Sequence, residues 1–104
     1  MTKEALREYR NIKTELVEME KLRKTLTALD YDIDELYLPK KTALLRELER
    51  IEQAIETLGP TERTLMRLRY IEGLSWQEVC DRIHYSWQQT HRIHANALIK
   101  LREV

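Results

Sequence analysis

Between Ser75 and Arg92 the chain repeats one pattern of polar and aromatic side chains. Ser75-Trp-Gln-Glu78 is followed eleven residues later by Ser86-Trp-Gln-Gln89. A serine with Glu or Gln three positions on is a helix-start signature. The hydroxyl accepts from the third helical amide, and the Glu or Gln side chain accepts from the serine amide. Two such starts at this spacing predict a short helix, a tight turn and a second helix, the helix-turn-helix layout. In that layout the N-terminal part of the second helix enters the major groove of double-stranded DNA. Its outward positions here are Trp87, Gln88, His91, Arg92 and Ala95. Gln can hold adenine through two atoms and Arg can hold guanine, each pair worth about 1–3 kcal/mol of discrimination. Ser86 at the cap, Trp87, Gln88, His91, Arg92 and Lys100 form the candidate DNA-contacting set. Trp87 has two readings of equal weight: packing on sugar-phosphate or a thymine methyl, or packing within the module.

Other chemistry finds less support. Cys80-x3-His84 and His91-x2-His94 have spacings that suit zinc. The helix-turn-helix layout turns Cys80 inward and His91 outward, so the pairs diverge and no metal or cofactor is expected. No glycine-rich phosphate loop is present, and no nucleophile and base can be paired. Asp30, Asp32 and Asp34 read as a solvated connector. The expectation is a protein without catalytic residues.

Those candidate residues need a scaffold. From Thr2 to Leu29, the apolar residues Ala5, Tyr9, Ile12, Leu16 and Met19 alternate at four and three. The phase then slips to Leu22, Leu26 and Leu29, still an amphipathic helix. Three alternating aspartates and Pro39 predict a connector over 30–39, with Ile33, Leu36 and Leu38 packed. A second helix runs from Lys40 to Leu58 on the seam Leu44, Leu48, Ile51, Ile55 and Leu58. Gly59-Pro60 then punctuates the chain, with Gly ending one helix in left-handed geometry and Pro opening the next. Further helices are expected over Thr61–Glu72, Trp76–Ile83 and Trp87–Glu103. His84 is expected in the left-handed turn position, and Cys80 as a small buried residue. Trp76 is expected to pack against the N-terminal arm.

The fold class is therefore all-α. Residues 1–58 form a long helical hairpin or coiled-coil arm, and residues 59–104 a three-helix helix-turn-helix module. The arm is expected to make a homodimer; the alternative is a monomeric bundle in which both helices cover the module. Net charge is zero but uneven: residues 1–58 hold 11 Lys+Arg and 13 Asp+Glu, and residues 59–104 hold 7 and 5. No acid lies between Trp87 and Arg102, which suits a DNA-facing half with weak affinity per copy. His91 and His94 are expected to gain charge near phosphates as pH falls toward 6. No apolar run is long enough for a membrane span and no signal peptide is visible, so no membrane partner is expected. The single cysteine fits a reducing cytoplasm.

Glu62-Arg-Thr-Leu-Met-Arg-Leu-Arg-Tyr70, Glu72-Gly-Leu-Ser75 and Ala97-Leu-Ile-Lys-Leu-Arg102 together resemble region four of bacterial sigma factors. With a helical arm in front, the chain is similar to small phage-type regulators of the RinA and ArpU kinds. The resemblance covers about the last 45 residues. It implies a transcriptional regulator acting near a promoter, with RNA polymerase as a further partner. It also implies base or backbone contacts for Gln88, His91 and Arg92 and a phosphate contact for Trp87. Three features depart from it: His84 for a usual Gly, Thr90 for an aliphatic, and Gln88, Gln89 and His91 where charges are common. No other sigma region is visible, so a complete sigma factor is not expected. Two rival readings are a module that docks on RNA polymerase with little DNA affinity, and the small subunit of a phage DNA-packaging complex.

Overall fold

The computed structural model describes residues 1–104. It contains no strand. The helices are α1 (Lys3–Ala28), α2 (Asp34–Glu56), α3 (Pro60–Met66, continued by a π-helical stretch Arg67–Ile71), α4 (Trp76–Ile83) and α5 (Trp87–Leu101). No helix is long and apolar enough to cross a membrane.

α1 opens on Thr2, whose side chain accepts from the Ala5 amide at 3.2 Å. It folds back on α2 as an antiparallel hairpin. Tyr9 donates to Glu52 at 2.5 Å and Tyr37 to Glu20 at 2.6 Å across the pair. Lys40–Glu15 and Arg23–Asp34 pairs add exposed links, each worth about 1 kcal/mol or less. At the base of the hairpin, Leu6, Tyr9 and Ile12 of α1 and Ile51 and Ile55 of α2 meet Leu65, Met66, Val79, Ala97 and Leu101 in one cluster. Burying each large aliphatic contributes about 1.5–3 kcal/mol. Arg67 and Arg63 both pair with Glu56, tying α3 to the end of α2. The molecule is consequently long, 55 × 28 × 19 Å.

The connector is shorter than the sequence suggests. α2 starts at Asp34 and Pro39 lies inside it. Asp32 accepts from the Asp34 amide at 3.1 Å, while Asp34 and Glu35 sit in the positive first turn. The aspartates thus start a helix, and Pro39 falls early enough to forfeit only one intrahelical bond. Asp30 turns the chain with φ 67°. Leu36 and Leu38 are 84% and 51% exposed, so they do not pack as expected. On α1 it is Leu6, fully buried, rather than half-buried Ala5 that enters the core.

Gly59 is also not a left-handed terminator. It is extended, at φ −66° and ψ 165°, and caps α3, with Pro60 in the first turn as expected. Left-handed geometry falls instead on Gly73, φ 75°, at the end of the π-helical stretch. There Glu72 donates to the Arg67 carbonyl at 2.9 Å. From this stretch Arg69 reaches Trp76 of α4 and Tyr70 reaches His94 of α5.

Candidate nucleic-acid interface

α4 and α5 are joined through His84, at φ 60° and ψ 38°, as the turn requires. Both serine caps close as full capping boxes. Ser75 accepts from Glu78 and Ser86 from Gln89, each at 3.2 Å. The Glu78 and Gln89 side chains accept from the serine amides in return. Where the two helices cross, Cys80 Sγ donates to Thr90 Oγ1 at 3.3 Å, and both side chains are buried. The hydroxyl that departs from the usual aliphatic at position 90 is therefore satisfied, which removes most of its burial penalty.

Around the first turn of α5 the candidate residues separate into groups. Gln88 and Arg92, four residues apart on one face, are both exposed. Gln88 is free, whereas its neighbour Gln89 is held in the cap. Trp87 is 53% exposed and leans on His91 with ring centroids 4.5 Å apart. His91 is half-buried, with Nε2 enclosed and unpaired, between Trp87 and Trp76. Lys100 is elsewhere. It pairs with Glu62 at 2.5 Å, about 20 Å along α5 from the Ser86 cap.

Trp76 is the hub of this region. Its ring meets His91 at 4.5 Å and His94 at 4.6 Å. The Arg69 guanidinium lies 4.6 Å over it and donates to the Leu74 carbonyl at 2.9 Å. Beneath them His94 Nε2 and the Tyr70 hydroxyl share a 2.7 Å hydrogen bond. His94 is therefore not a solvent-facing cation. Burial, then the positive charges of Lys3, His91, Arg69 and Arg7, push its pKa down to about 4. Burial likewise raises Tyr70. The expectation that His94 gains charge near pH 6 fails for this reason. Arg69 and Tyr70 were not legible as part of this region. Their signal depends on the π-helical turn, which leaves no mark in apolar spacing. Cys80 turns to Thr90 and His94 to Tyr70, so the zinc-like pairs point apart; no group of three His, Cys, Asp or Glu residues gathers.

Residues 54–103 match the family description Sigma-70, region 4. The C-terminal unit is a sigma-region-four-like helix-turn-helix. This region-four-like unit begins in the last turns of α2 and so includes Ala54, Ile55 and Leu58, which share its core. Over 97 residues the chain is 25% identical to the RNA polymerase sigma factor TcsR of Paraclostridium sordellii, a match covering 92% of this chain and 56% of that protein. The match therefore takes in most of the hairpin, and the chain spans about half the length of this curated relative. No solved structure matches.

Proposed function

We propose that the chain is a sequence-specific DNA-binding regulator of transcription that reads duplex DNA with the first two turns of α5. One observation carries the reading. At a capped helix end, Gln88 and Arg92 stand exposed without side-chain partners, beside exposed Trp87, on a helix with no acid from Trp87 to Arg102. Arg and Gln in that position suit bidentate contacts to base edges. The likeness of residues 54–103 to Sigma-70 region 4 supports action near a promoter in the bacterial cytoplasm. The likeness to RinA-type and ArpU-type phage regulators belongs to the same proposal, on the order of arm first and reader last.

Residues 1–58 then serve as an oligomerisation arm for residues 59–104. Val17, Leu22, Leu29, Leu36, Leu38 and Leu45 stay exposed on the hairpin, more apolar surface than its solvent role explains. A second copy seated there would give a homodimer with two reading helices, summing two weak sites. Sedimentation equilibrium tests this; a monomer at tens of micromolar removes the dimer. The central test is selection from random duplex DNA at low and near-physiological salt. An enriched motif supports the reading, and its symmetry reports the copy number bound.

Docking on RNA polymerase is the second reading. It is favoured by the sigma-factor name of the matched relative and by the balanced net charge. No enriched motif together with capture of purified polymerase would select it.

A further inference from the structure

α1 carries a row of cations that the hairpin does not use. Lys3, Arg7 and Arg10 are spaced four and three apart, so they share one helical face. None of the three enters an ion pair. With Arg69, Gly73 and Trp76 they line a cleft of about 250 Å³ between α1 and the turn that leads into α4, with Tyr70 at its back and no acid on its walls. Arg10 is seated by that turn: a Cβ added at Gly73 would lie 1.8 Å from an Arg10 guanidinium nitrogen. Gly73 thus serves its own φ of 75° and the close approach of Arg10. The field of the row extends inward, since Lys3, Arg69 and Arg7 all act on His94 to disfavour its charged form.

Gathering four cations without a carboxylate costs folding energy through like-charge repulsion. An anionic ligand would remove that cost. Two observations identify which one. Trp76 belongs both to this cleft and to the stack on His91, so the cleft opens beside the first turns of α5. The row from Lys3 to Arg10 is about 10 Å long, enough to face more than one consecutive phosphate of a DNA strand. A single acidic side chain of a protein, which can pair with two arginines as Glu56 does, would still leave part of the row unmatched.

We infer that Lys3, Arg7 and Arg10, with Arg69, form a phosphate-binding cleft for the DNA strand flanking the groove read by α5. The arm helix is then part of the DNA interface as well as its support. This inference rests on the DNA-reading proposal above. Contacts of this kind position the protein and raise affinity without reading sequence.

The test uses the full chain and a fluorescein-labelled duplex taken from the random-sequence selection, with affinity measured by anisotropy across salt concentrations. Each phosphate contact contributes about 0.9 to the slope of log affinity against log salt. The double variant Lys3→Gln/Arg7→Gln is expected to lower the slope by about two and weaken binding roughly ten- to thirtyfold near physiological salt. The preferred sequence stays unchanged and the thermal melt does not fall, because Arg7 is exposed and Lys3 half-exposed and the repulsion within the row is relieved. Arg7→Lys keeps the slope. Arg10→Gln checks the same loss at the Gly73 end of the cleft. If the double variant binds with wild-type slope while Arg92→Ala weakens binding, the cleft is not a phosphate site and the reading helix stands. If wild-type protein binds no duplex at 50 mM salt, both proposals fall. Loss of RNA polymerase capture by the double variant, with an unchanged DNA slope, would overturn the inference in favour of an acidic protein surface.

Discussion

The starts of α4 and α5 are nearly the same sequence in two different settings. Ser75-Trp-Gln-Glu78 and Ser86-Trp-Gln-Gln89 form the same capping box. After Ser75, however, the tryptophan is covered by Arg69, His91 and His94; after Ser86 it is 53% exposed. The fourth residue differs as well. Glu78 is an acid, and its bonds with Ser75 hold its carboxyl below the usual range. Gln89 is neutral. A capping box decides where a helix begins. What the next residue does depends on what lies over the first turn, and only α4 has a neighbouring element there. The first copy braces the fold, and the second presents a surface.

Truncating the two tryptophans tests this contrast with the largest expected effect. Trp76→Ala removes the stack on both histidines and the Arg69 contact, costing about 2–3 kcal/mol. In a chain of this size that lowers the melting temperature by roughly 10–20 °C. Trp87→Ala should move the melt by only a few degrees and weaken DNA binding instead. Equal loss of melting temperature in both variants would dissolve the distinction between the two starts.

Arg92→Ala and Gln88→Ala probe the presenting surface directly. Each should weaken specific binding by about 1–3 kcal/mol, with relaxed preference at one base position and an unchanged melt. Both side chains are exposed, so a melt lowered by several degrees would reassign them to the fold.

Much of this arrangement was legible because it follows from spacing. The serines, the 3.6-residue apolar period, Pro60 and the turn at His84 locate α4 and α5 to within two residues. Asp30 to Pro39 misled because local propensity weighs Pro39 as a breaker, while the Asp32 bond to the Asp34 amide and the first-turn acids outweigh it. The Trp76 hub was half legible. Contact with the arm could be expected, but its histidine partners depend on how α4 crosses α5. The spacing of Lys3, Arg7 and Arg10 at four and three puts them on one helical face, but spacing alone does not say what that face meets. Only the fold shows that none of them enters an ion pair and that no acid lines their cleft.

His94 provides a gentler test of the bracing side. Its folded pKa of about 4 lies below the ordinary 6.5. Between those values the unfolded chain binds a proton that the folded chain does not, so stability rises with pH across that window. The contribution is complete above about pH 6.5 and declines as pH falls toward 4. Carboxylates titrate in part of the same range, so the measurement is a difference: wild type against His94→Gln, melted at pH 5 and 7. Wild type should lose several degrees more than the variant on acidification. Equal losses would mean that His94 is not held neutral under Trp76.

The smallest effect separates the two starts most cleanly. Gln89→Glu converts the second capping box into a copy of the first. A carboxylate in the first turn gains from the helix dipole, about 0.3–1 kcal/mol, so the melt should rise by a few degrees. The same charge would stand at the edge of the DNA-facing turn, where repulsion from phosphates should weaken binding about two- to fivefold at low salt and less at high salt. Stability and binding would move in opposite directions, which no packing defect produces. That result would explain why the braced helix carries the stronger cap and the presenting helix a neutral one. A higher melt with unchanged DNA affinity would place the start of α5 away from phosphates and favour polymerase docking.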